Sequence, residues 1–333
     1  MRSIKKLILF AIFFMVAAAA YFFYWAGQPI TTGGEPIEFA IKPGSGVGAA
    51  SQQIATAGVP VNPFMLSMLA RVTRTAGRIK AGTYELKPNT TPRTLINQLV
   101  RGEFAQESLT IIEGWTFRQM RAAVAANKSL NQDTAALSDK ELMGKISTDY
   151  KLPEGLFFPD TYLFAKGASD LKIYKQAHAL MLERLAAAWA KRDESLPYKT
   201  PYEALTMASI VEKETGQKSE RAMIAGVFVN RLKKGMMLQT DPTVIYGMGE
   251  NYTGNIRKKD LETSTPYNTY MHTGLPPTPI SLPGVQSLTA ALGPAKTEAL
   301  YFVSRGDGSS KFSDNLPDHN KAVNQYQRNT NVK

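Results

Sequence analysis

The sequence predicts an α+β fold carried on one N-terminal transmembrane helix, with a small α+β lobe followed by a larger mixed α/β domain. Three observations predict it. An uncharged apolar run lies near the start, a strand–helix–helix–strand order follows it, and capped helices alternate with Pro- and Gly-bearing loops in the second half. The expected divisions are residues 1–27 (cytoplasmic tip and anchor), 28–36 (linker), 37–106 (first lobe) and 107–333 (larger domain).

Arg2, Lys5 and Lys6 precede an apolar run from Leu7 to Trp25, close to the ~20 residues that cross a bilayer core. The run ends in Tyr21, Phe22, Phe23, Tyr24 and Trp25, an interfacial aromatic pattern. Basic residues lie on the N-terminal side alone, which predicts a cytoplasmic N-terminus and an extracytoplasmic remainder on a single-pass plasma (inner) membrane protein. The aromatic residues directly after the small-residue stretch Ala17–Ala20 favour an uncleaved anchor over a signal peptide.

Composition narrows the chemistry. There are no cysteines, hence neither a disulfide framework nor a thiolate nucleophile. His178, His272 and His319 are the three histidines, too scattered for a zinc motif, and no cofactor is expected. The net charge of +11 suits an anionic lipid or polymer, or simply a solubilising surface. Nucleic acid is not an expected partner outside the membrane.

Ile37 to Ile41 alternates like a strand, residues 43–46 form a turn, and Val47 to Ala57 has helical spacing. Asn62 and Pro63 start a second helix. Thr83 to Leu86 reads as the returning strand and Pro92 to Val100 as an appended helix. The β-α-α-β order resembles a LysM-like module, a fold class that binds amino-sugar polymers. Ser108 to Ile112 (strand), Glu113-Gly114 (turn) and Thr116 to Ala125 (helix) repeat the opening device. Glu154 to Phe164 reads equally as a buried connection or as an aromatic wall for sugar rings.

Thr200, Pro201 and Glu203 mark a helix start with capping-box spacing, and Gly216 a stop. At about 100° per residue, Glu212 and Glu214 border opposite sides of its apolar arc, so they do not share one pocket. A carboxyl beside an apolar stripe is partly desolvated and is held protonated near neutrality, as a general acid requires. Geometry does not choose between the two. Ser219 is expected to cap a second helix, Glu220 to Lys234, closed by Gly235. Its small face (Ala222, Ala225, Gly226, Val229) suits close packing. The loops 238–249 and 267–281 mix amides, hydroxyls and aromatics, as carbohydrate clefts do.

The strings ASIVEKET (208–215), VNRLKKGMMLQTDPTVIYGMG (229–249) and LETSTPYNTYMHTGLPP (261–277) resemble the MltG-type, or YceG-like, endolytic murein transglycosylases. KAGTYELKPN (80–89), EGLFFPDTY (154–162) and ALYFVSRGDGSSKFSDNLPDHNKAV (299–323) extend the resemblance over nearly the whole chain. Thr278 stands where the family commonly has Gly, and Leu282 where Asn is usual before Pro-Gly. The resemblance implies that residues 107–333 are a catalytic transglycosylase domain. It implies cleavage between N-acetylmuramic acid and N-acetylglucosamine in nascent peptidoglycan strands, with 1,6-anhydro ends and termination of strand growth. It also implies contact with peptidoglycan synthases. The second Glu of the EKE motif, Glu214, is then the catalytic group. Gln239, Tyr246, Asn268 and Tyr270 are the expected substrate-binding residues, and Asp241 the cap of the helix after it. Two other readings stay open: a muramidase with a second carboxylate (Asp241, Asp260 or Glu262), and a non-catalytic wall-binding scaffold.

Overall fold

A computed structural model describes residues 2–32 and 35–328. The chain divides into two compact units. One holds the chain up to Glu107 together with Ser129–Asn131 and Leu163–Ala168. The other holds Ser108–Lys128, Gln132–Tyr162 and the chain from Ser169 onward.

The first unit opens with helix α1 (Arg2–Ala26). Its segment Ile4–Ala26 is 23 residues long with a mean hydropathy of 2.4. At 1.5 Å per residue that is about 35 Å, enough for a hydrocarbon core of ~30 Å. Strands β1 (Ile37–Ile41) and β2 (Gly82–Leu86) pair antiparallel, Ile37 opposite Leu86 and Ile41 opposite Gly82. Helices α2 (Val47–Thr56) and α3 (Pro63–Val72) lie between them in sequence, and α4 (Pro92–Arg101) follows. The expected Asn62 cap forms, its side chain accepting from the amides of Phe64 and Met65, and Thr91, not foreseen, caps α4. Gly102 ends α4 in the left-handed region (φ 73°), where a Cβ would also collide with Lys80.

The predicted linker is not free where it is described. Its residues 33 and 34 lie outside the described residues. Upstream, Ala26 and Ile30 are buried in the core of this unit beside Leu95 and Leu99, and Phe22 and Trp25 pack on it. The Ile30 amide donates to the Thr90 carbonyl at 2.8 Å. Burial of apolar groups outweighs the freedom that Gln28 and Pro29 suggest.

In the second unit, strand β3 (Gln106–Thr110), whose first residues belong to the first unit, begins two residues before its predicted start. Helix α5 (Phe117–Ala126) is capped by Thr116 with Gln119 completing the box. Helices α6 (Asp139–Ile146) and α7 (Asp170–Trp189) follow. Then come α8 (Pro201–Glu214), α9 (Arg221–Lys233), α10 (Asp241–Met248), α11 (Lys258–Glu262) and α12 (Val285–Leu292). An antiparallel hairpin of β4 (Tyr301–Ser304) and β5 (Ser310–Ser313) leads into α13 (Leu316–Val323).

Helix α8 is the axis of this unit. Every residue from Ala204 to Val211 is buried, including Thr206 and Ser209, and α12, α9, α7 and α10 pack around it. It is buried all round rather than along one arc, as a central core helix must be. Its start differs from the predicted capping box. Thr200 accepts from the Glu203 amide, but the Glu203 carboxylate turns back to the Lys199 amide. It ends at Glu214, with Thr215 extended, before the predicted Gly216. Ser219 does not cap α9. A short 3₁₀ turn, Lys218–Glu220, precedes it.

The small face of α9 receives a loop. The Ala295 amide donates to the Ala222 carbonyl, and a Cβ on Gly226 would come within 2.7 Å of the Ala295 carbonyl and 2.9 Å of Thr297 Cγ2. Gly226→Ala is therefore expected to cost about 1–3 kcal/mol, read as a fall in thermal midpoint. A neutral result would show that the loop yields freely.

Candidate active site

The last turn of α8 separates its two carboxylates. Glu212 turns inward. Its Oε1 accepts from the Arg221 guanidinium at 3.0 Å and its Oε2 from the Gly284 amide at 2.9 Å, and both side chains of the ion pair are about 95% buried. The Glu113 carboxylate also lies so close to Gly284 that a Cβ there would overlap it. The Glu113-Gly114 turn is tied to this loop from Gly114 N to the Leu282 carbonyl, and the Leu282 amide donates back to Trp115. Glu212 is thus a structural latch joining α8, α9 and the start of α12.

Glu214 is the final residue of α8, and its carboxyl faces a cleft of about 1120 Å³. Burial pushes its pKa upward, and the neighbouring Asp241 adds to the push. The Thr240 hydroxyl, 2.7 Å from Oε2, and Arg231 oppose it. A carboxylate at a helix C-terminus also meets the negative end of the backbone dipole.

One side of the cleft is built by Arg231. Its Nε donates to the Leu300 carbonyl (2.7 Å) and a terminal nitrogen to the Leu238 carbonyl (2.8 Å). Its guanidinium lies 5.1 Å from the Tyr301 ring centre, and Tyr301 stacks on His319 at 5.1 Å. Glu220 fastens the hairpin by accepting from both the amide and the hydroxyl of Ser310. Gln239 takes a left-handed backbone (φ 50°), held by its amide bonding the Thr269 carbonyl, a strained conformation of the kind met at functional sites.

The predicted site residues divide. Glu214, Gln239 and Tyr270 line the cleft together. Asp241 lines it too, but it does not cap α10. It is the first residue of that helix, Thr240 holds the cap position, and the Asp241 carboxylate accepts the Tyr270 hydroxyl at 2.6 Å. Asn268 lies elsewhere, 1% exposed. Its amide nitrogen donates to the carbonyls of Asp260, Leu261 and Thr263, and its oxygen accepts from the Tyr270 amide. Every polar atom of that side chain shapes the loop. Tyr246 donates to Glu154 at 3.0 Å. Asp260 bonds the Arg257 amide, and Glu262 lies 3.6 Å from Lys258. Thr278 bonds the Tyr267 hydroxyl at 2.9 Å, which gives the departure from Gly a defined local role. Among the described residues no group of three or more His, Asp or Glu is placed to share a metal ion.

Residues 154–162 form a buried connection rather than an aromatic wall. Leu156, Phe157 and Phe158 are buried and Phe157 stacks on Phe117. Within it, Glu154 is 6% exposed and accepts from the Phe117 amide (2.9 Å) and Tyr246. Sequence reading missed Glu154 as a titrating group, missed Arg231, Tyr301 and His319 in the cleft, and missed Thr240 as the hydroxyl bonded to Glu214. Arg231 reads there as one more scattered cation, and nothing local marks it as buried.

The model of the YceG-like family matches residues 39–325. A Bacillus subtilis (strain 168) protein named endolytic murein transglycosylase is 35% identical over 280 residues, covering 78% of this chain and 76% of the relative. A Streptococcus pneumoniae (strain D39) protein of the same name is 27% identical over 324 residues, 87% of this chain and 58% of that one. The crystal structure of a YceG-like protein from Listeria monocytogenes superposes with a TM-score of 0.57 at 32% identity, covering 86% of this chain and 98% of that chain.

Two outcomes follow from the buried carboxylates. Glu212→Ala leaves Arg221 charged and unpaired and is expected to cost about 3–5 kcal/mol in chemical denaturation. For Glu154, burial outweighs its two hydrogen bonds and raises the pKa to about 7. A raised carboxyl favours the fold most while protonated, so its contribution is full below the ordinary value of 4.5 and is lost as pH rises to about 7. That loss is worth about 3 kcal/mol. Glu154→Gln should remove this pH dependence and be more stable than the unsubstituted chain above pH 7. Parallel stability–pH curves for the two would refute the assignment.

Proposed function

The chain belongs to the YceG-like family, and we propose that it is an endolytic murein transglycosylase whose catalytic group is Glu214. The observation that carries the assignment is the division of labour in α8. Glu212 is consumed by Arg221 and Gly284, whereas Glu214 is desolvated, raised in pKa and open to the cleft.

The reaction needs one carboxyl group. Protonated Glu214 donates to the oxygen of the bond between N-acetylmuramic acid and N-acetylglucosamine as that bond breaks. The resulting carboxylate takes the proton of the muramic C6 hydroxyl, whose oxygen closes on C1. The acid is regenerated, no water is consumed, and the product ends in a 1,6-anhydro sugar. The attacking hydroxyl belongs to the same ring, so proximity lowers the barrier. Gln239 and Tyr270 position sugar hydroxyls or N-acetyl groups. Burial and Asp241 raise the Glu214 pKa, and Thr240 and Arg231 act against that rise.

α1 serves as the single-pass anchor, with the N-terminus cytoplasmic and the chain after α1 outside the plasma membrane. The β-α-α-β lobe acts as a LysM-like binder of glycan. Held near the bilayer, the enzyme cuts strands as they emerge, beside the synthases, and so ends their elongation.

Asp241, in the same cleft, favours one second reading, a two-carboxylate hydrolase. Such enzymes hold their carboxylates about 5–9.5 Å apart. Digestion of purified wall followed by mass spectrometry separates the two. Anhydro ends from the unsubstituted chain, and none from Glu214→Gln, are expected, with the variant retaining its thermal midpoint. Reducing muramic ends bearing added water would establish the hydrolase. Undiminished activity in Glu214→Gln would refute the catalytic assignment.

A further inference from the structure

Helix α3 is apolar on two sides. Leu66, Leu69 and Ala70 face the core of its own unit. On the outward side Phe64, Met68 and Val72 are 67%, 39% and 54% exposed. Their spacing of four residues places them in one stripe. A helix at a soluble surface carries polar residues there. Here the single charge within α3 is Arg71, and the exposed Arg74 and Arg78 follow it. From Phe39 to Tyr84 the chain has Lys42, Arg71, Arg74, Arg78 and Lys80 and no Asp or Glu. An apolar stripe edged by arginines, with acids absent, matches the acyl boundary and anionic headgroups of a bilayer.

The same unit is already tied to the membrane helix. The last turn of α1 packs on its core through Phe22, Trp25 and Ala26, and Ile30 is bonded to Thr90. Among the described residues, Ala26 and Ile30 join the end of the spanning segment directly to the lobe, which places it at the level of the headgroups.

We propose that α3 is a second membrane contact, lying in the plane of the anionic bilayer that α1 crosses, with Phe64, Met68 and Val72 in the acyl boundary and Arg71, Arg74 and Arg78 on the phosphates. The proposal rests on α1 being the membrane anchor.

The absence of native cysteine allows single nitroxide labels in the full chain, reconstituted in phosphatidylglycerol–phosphatidylcholine nanodiscs. Labels at Met68→Cys, at Phe13→Cys in α1 and at Gln52→Cys on exposed α2 are compared by collision with oxygen and with a water-soluble nickel chelate. The Met68 label should resemble the Phe13 label, favouring oxygen, and the Gln52 label should favour nickel. Replacing phosphatidylglycerol by phosphatidylcholine, or combining Arg71→Gln, Arg74→Gln and Arg78→Gln, should return the Met68 label to water. A Met68 label in water while the Phe13 label is in lipid overturns the proposal and leaves the anchor standing. A Phe13 label in water overturns the anchor itself. Immersion that ignores headgroup charge overturns the role given to the arginines. Shielding that appears only when purified wall polymer is added assigns the stripe to glycan instead.

Discussion

The second unit depends on one buried ion pair. Glu212 and Arg221 sit out of water between α8, α9 and the start of α12, and Gly284 supplies the remaining donor. Removing two charges from water is costly and is offset only when each lone pair and proton is met. Here the carboxylate has one partner on each oxygen and Arg221 also reaches Gln286, while the buried Arg221 Nε is left without a hydrogen-bond partner. The pair fixes the rotation of α8 about its own axis. With Glu212 pinned, Glu214 must emerge on the opposite side, at the helix end. The Glu214 carboxyl is therefore placed by its neighbour two residues earlier together with its own bond from Thr240.

Desolvation and hydrogen bonding act against each other at Glu214. Burial and Asp241 favour the neutral acid, whereas Thr240 and Arg231 favour the anion. The proposed use of Glu214 first as acid and then as base needs both forms accessible. Glu154 is a second buried carboxyl of this unit. Its hydrogen bonds from Phe117 and Tyr246 do not overcome burial, and its pKa rises to about 7. The two carboxyls share a cause and differ in their neighbours.

The caps at Asn62 and Thr200 were legible in the sequence because they are local: each bonds an amide within three residues, so a short string suffices to read them. The divergence of Glu212 and Glu214 was legible for the same reason, following from helical period alone. What a side chain meets from far along the chain was not. Asn268 looks like a sugar ligand in a polar loop, yet three backbone carbonyls claim its amide. Gln28 and Pro29 look like the start of a linker, yet Ile30 beside them is buried through residues some sixty positions on. Arg231 looks like surface charge, and its partners at Leu300 and Tyr301 lie some seventy residues away.

Arg231 reaches both sides of the cleft at once. It bonds the carbonyl of Leu238 at the floor and that of Leu300 at the root of the hairpin, and Tyr301 rests against it. Floor and wall are thereby riveted to one rigid helix, α9. The gap between them behaves as a slot of fixed gauge, not as a jaw. A polymer would be admitted by lying lengthwise in the slot, and discrimination would fall on cross-section. Such a slot suits cutting within a long strand, because neither end of the substrate has to be found.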